Sequence, residues 1–212
     1  MSDLSAFGLG TGFREFMLNV QADEYLQKIL NREQVDTSQE SPVRKVQAVL
    51  TPSISLWANG NLLSLHPSGS FIKDTANRSG TDIDLFISLS PDTPNTLKEI
   101  YDRLFNRLSI DGYAPNRQNV SINVLVNGYS VDLVPAKRQN METMDHSLYR
   151  NKKDSWTKTD VLKHIMKVRA ANAQSEIRII KLWRRQKNLD FPSFYLELTA
   201  INALTTDLFT CR

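Results

Sequence analysis

Residues 120–134 constrain this chain more tightly than any other stretch. Val120 to Val126 alternates apolar and other side chains, Asn127-Gly128 follows, and Tyr129 to Val134 alternates again. Asn-Gly favours a two-residue turn with both residues at positive φ, and such a turn sets the register of the strands it joins. With Asn127 and Gly128 as the loop, Val126 pairs with Tyr129 and Asn123 pairs with Asp132. Ile122, Val124, Val126, Tyr129, Val131 and Leu133 then share one face, the expected core face. Asp132 falls on the other face, between buried neighbours.

The surrounding punctuation predicts an α+β protein. Helices are expected over 12–32, from Ser41-Pro42 onward, and over 94–109. In the first of these Phe13, Phe16, Met17, Val20, Tyr25, Leu26, Ile29 and Leu30 recur near helical spacing. Leu62 to Leu65 reads as a short strand leading into a Gly69-Ser70 turn, then a short helical stretch from Phe71 to Ala76. Asp82 to Leu89 (DIDLFISL) reads as a second strand. After Pro135 the pattern suggests helices only, at about 158–170, 175–188 and 192–209. The 212 residues therefore divide into an N-terminal helical spine (1–60), a mixed sheet flanked by helices (61–135) and a helical C-terminal lobe (136–212).

Composition excludes several classes. Hydrophobic residues make up 41% and charged residues 23%, as in an ordinary globular chain. The one cysteine, Cys211, leaves no internal disulfide framework, and His66, His146 and His164 lack metal-ligand spacing. The start of the chain lacks the basic and apolar runs of a signal peptide. Val46 to Ile72 carries no Lys, Arg, Asp or Glu, yet Pro52, Asn59-Gly60 and Pro67-Ser68-Gly69 break it too often for a membrane span. A cytoplasmic protein without a membrane partner is expected. Charge is uneven: residues 1–135 hold 11 Lys/Arg against 15 Asp/Glu, and residues 136–212 hold 15 against 8. Such halves would grip a metal-bound polyanion between them, or would simply be two solvated surfaces.

Three acidic residues and one turn carry the candidate chemistry. Asp82 and Asp84 are two apart on a strand, so their carboxylates point to one face. Carboxylates this close repel unless a cation lies between them, and oxygen ligands with open positions suit Mg²⁺. Asp132 would complete a three-carboxylate, two-metal site. Without that context, Asp82 and Asp84 are a polar strand start. Gly69-Ser70 offers backbone N–H groups and a hydroxyl to phosphate, or is an ordinary turn with a serine cap. In Glu176 to Lys187, Ile177, Ile180 and Trp183 make an expected core face. Arg178, Lys181 and Arg185 form a basic stripe, which is either solvated or faces phosphate. Phe191-Pro192-Ser193-Phe194-Tyr195 presents either a ring for a base or a helix start with core aromatics.

Taken together these motifs resemble the nucleotidyltransferase superfamily related to DNA polymerase β. The residues that carry the resemblance are GSF-x(3)-T within Gly69 to Thr75, DID at Asp82 to Asp84 and VDLVPA around Asp132. IRIIKLWRR followed by FPSFYLELTAINAL resembles the helical-lobe motifs of oligoadenylate synthases and of the bacterial relatives of cyclic GMP–AMP synthase, the CD-NTases. The resemblance runs from about Leu62 to Leu204. It implies a polymerase-β-like core in which Asp82 and Asp84 hold two Mg²⁺ ions, with Mn²⁺ as a substitute, and Asp132 holds the catalytic one. It further implies that Gly69 and Ser70 contact the donor triphosphate, that Lys181 and Ser193 bind phosphate, and that Phe194 stacks on the donor base, with Tyr195 as a lesser candidate.

The implied activity is template-independent joining of NTPs, ATP among them, with release of pyrophosphate. The product would be a cyclic or linear oligonucleotide messenger read by a nucleotide-sensing effector in bacterial antiphage defence. Addition to an RNA or DNA 3′ end, as in CCA-adding enzymes, or to a protein stays open as the alternative. So does a non-catalytic nucleotide-binding module. Nucleic acid is a possible partner that the chemistry does not require.

Overall fold

A computed structural model describes residues 11–80 and 82–210, and among their side chains all but those of 11–18 and 206–210. Cys211 and the side chains of Phe13, Phe16 and Met17 thus lie outside the described residues. The chain opens with helices α1 (Thr11–Arg32) and α2 (Pro42–Ala58). Ser41 caps α2 by accepting the Arg44 N–H, and Pro42 takes the first helical position, where its missing N–H costs nothing. Strand β1 (Leu62–Pro67), the single turn α3 (Gly69–Ile72), β2 (Ile83–Leu89) and α4 (Leu97–Ile110) follow. A reciprocal Thr96/Glu99 capping box starts α4. Then come β3 (Asn116–Arg117), β4 (Ile122–Val126), β5 (Tyr129–Arg138), β6 (His146–Arg150) and β7 (Ser155–Thr159). Helices α5 (Val161–Ala170), α6 (Gln174–Gln186) and α7 (Ser193–Thr210) end the chain.

The seven strands form one mixed sheet in the order β1-β2-β5-β4-β3, with β6 on β5 and β7 on β6. Only β2 and β5 run parallel. The β4–β5 hairpin has the register expected from Asn-Gly: Val126 opposes Tyr129 and Asn123 opposes Asp132. Asn127 and Gly128 sit at φ 51° and 82°, the two positive angles that such a turn needs. Tyr129, expected in the core, is exposed at the strand's start.

β2 is buried on both faces, which explains its unbroken apolar run after Asp84. Ile83, Leu85 and Ile87 pack with Val46, Leu50 and Ile54 of α2 and with Tyr101 and Leu104 of α4 in the main core. On the opposite face Phe86, Ala136 and Leu148 form a smaller cluster. A third cluster, Val168, Ala173, Ile177, Ala200 and Ile201, holds α5–α7 together.

Two expectations change here. The sheet continues through β6 and β7 to Thr159, so the all-helical part begins at Val161 and not at 136. Both strands are short, and β7, at the sheet edge, is polar and charged, which guards against further pairing and erases the apolar alternation. In α6 Trp183 is 49% exposed, so its core face consists of fully buried Ile177 and partly buried Ile180.

Candidate active site

The parallel pairing of β2 with β5 sets Asp84 directly opposite Asp132. In register on adjacent strands, roughly 4.8 Å apart, the two side chains leave the same face of the sheet. That is the face opposite the main core. Asp82 lies just before β2 and is exposed. All three carboxylates act on one another. Asp84 is pushed up to about 6, by burial first and then by Asp132, with Asp82 adding to the rise and Lys73 and Lys181 opposing it. Burial, then the Asp82 charge, also raises Asp132, while hydrogen bonds from Asn123 and Ser121 pull it down. Asn123 Nδ2 (2.8 Å) and Gln118 Nε2 (3.1 Å) both donate to Asp132 Oδ1 and fix the plane of that carboxylate. The hairpin register therefore supplies both Asp132 and the Asn123 that orients it.

Gly69 closes the site from above. A Cβ there would lie 1.7 Å from Asp84 Oδ2, and φ at +59° already disfavours any other residue. The Ser68 N–H donates to the Asp84 carbonyl at 2.8 Å and pins this turn to β2. The helical stretch expected over 71–76 is shorter: α3 is one turn, Gly69–Ile72.

Beside the turn lies a pocket of about 590 Å³ lined by Ser70, Thr75, Lys181, Arg184, Arg185 and Ser193, among others. It brings together three of the residues expected to meet phosphate: Ser70, Lys181 and Ser193. Both terminal nitrogens of Arg184 donate to Ser193 Oγ, each at 3.2 Å. Phe194 is placed elsewhere. Its ring stacks on His164 with centroids 4.2 Å apart, lies 5.4 Å from Lys73 Nζ and packs against the α5–α7 cluster. Phe191 is the aromatic in the pocket wall, and Tyr195 is exposed.

The expected basic stripe has three separate fates. Arg178 Nη2 donates to the Leu30 carbonyl (2.9 Å) and its Nε to Asn77 (3.2 Å), so it braces α1. Arg185 lines the pocket next to Gly80. Lys181 is drawn inward, where Nζ meets Glu197 Oε1 at 2.5 Å and Thr75 Oγ1 at 2.8 Å. Lys73 Nζ meets the other oxygen of Glu197 at 2.6 Å. Sequence reasoning missed Lys73, Thr75 and Glu197. One signal was available: Glu197 is the only charged residue between Asp190 and Asp207, inside an apolar helix, and a carboxylate in such a place needs a cation.

The donor set suits a hard divalent ion. It offers oxygen alone, and the half-buried Asp84 carries a repulsion that a cation would relieve. Among the described residues no group of three or more His, Cys, Asp or Glu side chains is gathered closely enough to hold a metal ion by itself.

No family model matches the chain. The cyclic AMP-AMP-AMP synthase of Escherichia coli (strain MS 115-1) is 28% identical over 174 residues, which is 73% of this chain and 54% of that protein. The chain thus spans about half the length of this curated relative. Among solved structures, E. coli MS115-1 CdnC with ATP superposes with a TM-score of 0.60 at 25% identity, over 89% of this chain and 61% of that one. The Elizabethkingia meningoseptica CdnE cyclic dinucleotide synthase with GTP and Apcpp gives a TM-score of 0.66 at 16% identity, over 83% and 74%, a likeness of fold. Among the described residues no helix is long and apolar enough to cross a membrane.

Proposed function

From the premise that this chain is a relative of the CD-NTases with a polymerase-β-like nucleotidyltransferase fold, we propose that it joins NTPs into a cyclic or linear oligonucleotide messenger. A hydroxyl attacks the α-phosphate and pyrophosphate leaves, with ATP among the substrates. The messenger would serve a nucleotide-sensing effector in bacterial antiphage defence. One observation carries this reading: Asp84 and Asp132 stand in register on one sheet face, beside a pocket that gathers Ser70, Lys181 and Ser193.

Two Mg²⁺ ions, or Mn²⁺ in their place, held by Asp82 and Asp84 with Asp132 on the catalytic one, would supply charge neutralisation and lower the pKa of the attacking hydroxyl. The protein's own part is positioning. Asn123 and Gln118 hold the Asp132 carboxylate in one orientation, ready to accept the acceptor's proton directly or through water. Gly69 lets the backbone approach Asp84 closely, so that the Ser70 hydroxyl and the carboxylates address the same triphosphate. Lys181 neutralises phosphate charge, and Ser193, oriented by Arg184, adds a hydroxyl contact.

Incubation with labelled NTPs and Mg²⁺ or Mn²⁺, with and without nucleic acid, tests the proposal. Phosphatase-resistant small products are expected from the protein alone. Label appearing only on RNA, DNA or protein would replace the messenger reading with terminal addition. Asp84→Asn and Asp132→Asn should each lower incorporation at least about a hundredfold without lowering Tm. Retained incorporation in either variant would remove that residue from the site.

A further inference from the structure

Glu197 is fully buried, and both of its oxygens are engaged by cations. Oε2 meets Lys73 Nζ at 2.6 Å, Oε1 meets Lys181 Nζ at 2.5 Å, and the Thr75 hydroxyl donates to Oε1 at 3.2 Å. The two lysines face different spaces. Lys181 lines the pocket of Ser70 and Ser193, whereas Lys73 lines a smaller cavity of about 170 Å³ together with Gly69, Asp84 and His164. A buried ion cluster is a poor choice for a plain tether, because apolar residues of similar volume hold helices together at less desolvation cost. Two cations on one anion also leave a surplus positive charge, and both lysines act on Asp84.

We infer that Glu197 is a positioning residue for nucleotide binding, holding Lys181 charged and aimed into the larger pocket and Lys73 beside Asp84. This rests on the reading that the larger pocket takes a triphosphate. The groups facing Lys181 are Glu197 from α7, Lys73 from the end of α3, Arg184 on α6 itself and Asp84 from β2, and His164 of α5 faces Glu197. Burial lowers Lys181 most, the Glu197 carboxylate holds it up, and Lys73 and Arg184 push it down. Without the Glu197 charge, two buried lysines repel each other and Lys181 gives up its proton at lower pH. Phosphate needs the protonated form, so affinity would then fall as pH rises.

The test compares the wild type, Glu197→Gln and Lys73→Met. MgATP affinity is measured by calorimetry from pH 6.5 to pH 9, and Lys181 is titrated without nucleotide by competitive acetylation and mass spectrometry. Glu197→Gln should bind MgATP about tenfold more weakly at the alkaline end and recover toward the acid end, with Lys181 acetylated at lower pH. Lys73→Met keeps the Glu197–Lys181 pair, so its affinity, at whatever level, should vary little with pH, and Lys181 should titrate higher than in the wild type. An affinity loss in Glu197→Gln that is equal at every pH would reduce Glu197 to a structural residue. If Glu197→Gln does not fold, Lys73→Met decides, and an unmoved Lys181 titration there overturns the inference. A wild type that ignores MgATP defeats the triphosphate reading, while the acetylation profiles still judge Glu197.

Discussion

The two sides of the site are built differently. Asp84 and Asp132 stand on hydrogen-bonded strands at the centre of a sheet, backed by a core that takes in α2, α4 and five strands. Lys181 and Ser193 stand on α6 and α7, which are joined to α5 through a cluster with five buried residues among those described. Backbone ladders place the carboxylates, so their spacing follows from strand geometry. Side-chain contacts place the polar groups of the pocket: Lys181 through Glu197, Ser193 through Arg184. The anionic side is therefore expected to be rigid and intolerant of any change in backbone approach. The cationic side is expected to be adjustable, and to loosen without loss of the sheet.

The largest effect should come from Gly69→Ala, where the two sides meet. Its methyl would displace the Asp84 carboxylate, and the positive φ adds about 1–3 kcal/mol of strain. Incorporation should fall at least about a hundredfold, and Mg²⁺ should lose its effect on Tm. A Gly69→Ala protein that keeps its turnover would show that Asp84 is less tightly cradled than its surroundings imply.

Ile177→Ala should act next most strongly, and on one side alone. Ile177 is fully buried, and the cavity left behind costs about 3 kcal/mol. Amide exchange should quicken across residues 161–204 and stay slow in β2 and β5, with the KM for NTP raised more than kcat is lowered. Faster exchange spread equally over the sheet would mean that the two sides unfold as one unit, and the contrast between them would fall.

A smaller effect concerns pH. Asp84 lies at about 6 against an unperturbed 3.8, so its ionised form disfavours the fold. That group costs nothing below its unfolded value of 3.8; the cost builds as pH rises from there and is complete above about 6. Without metal, Asp84→Asn should melt a few degrees above the wild type at pH 7.5 and level with it near pH 4. Mg²⁺ should raise the wild-type Tm at pH 7.5 and lose that effect below about pH 6. A Mg²⁺ effect that persists at pH 5 would place the ion away from Asp84.

Much of this was legible locally. Asn127-Gly128 dictated the hairpin and with it the Asn123–Asp132 pairing, because turn geometry acts over two residues. Ser41-Pro42 announced the start of α2 for the same reason. The Asp82–Asp84 spacing and the Gly69-Ser70 turn pointed to two segments that the structure sets side by side. The fates of charged and aromatic side chains were not legible in this way. Arg178, Lys181 and Arg185 share one spacing, yet one braces α1, one is buried against Glu197 and one lines the pocket. Phe194 carries the expected motif position, and its ring is taken up by His164.

The sequence by itself determined the hairpin register, the start of α2 and the placement of Asp82 and Asp84 at the head of a strand, since these follow from short-range periodicity and turn chemistry. The tertiary structure alone decided that β2 pairs in parallel with β5, which brings Asp84 opposite a residue 48 positions away. It also decided that Lys73, Lys181 and Glu197, from three separate parts of the chain, meet in one buried cluster. A buried charge is stable only beside its partner, and which partner it meets depends on how distant segments pack.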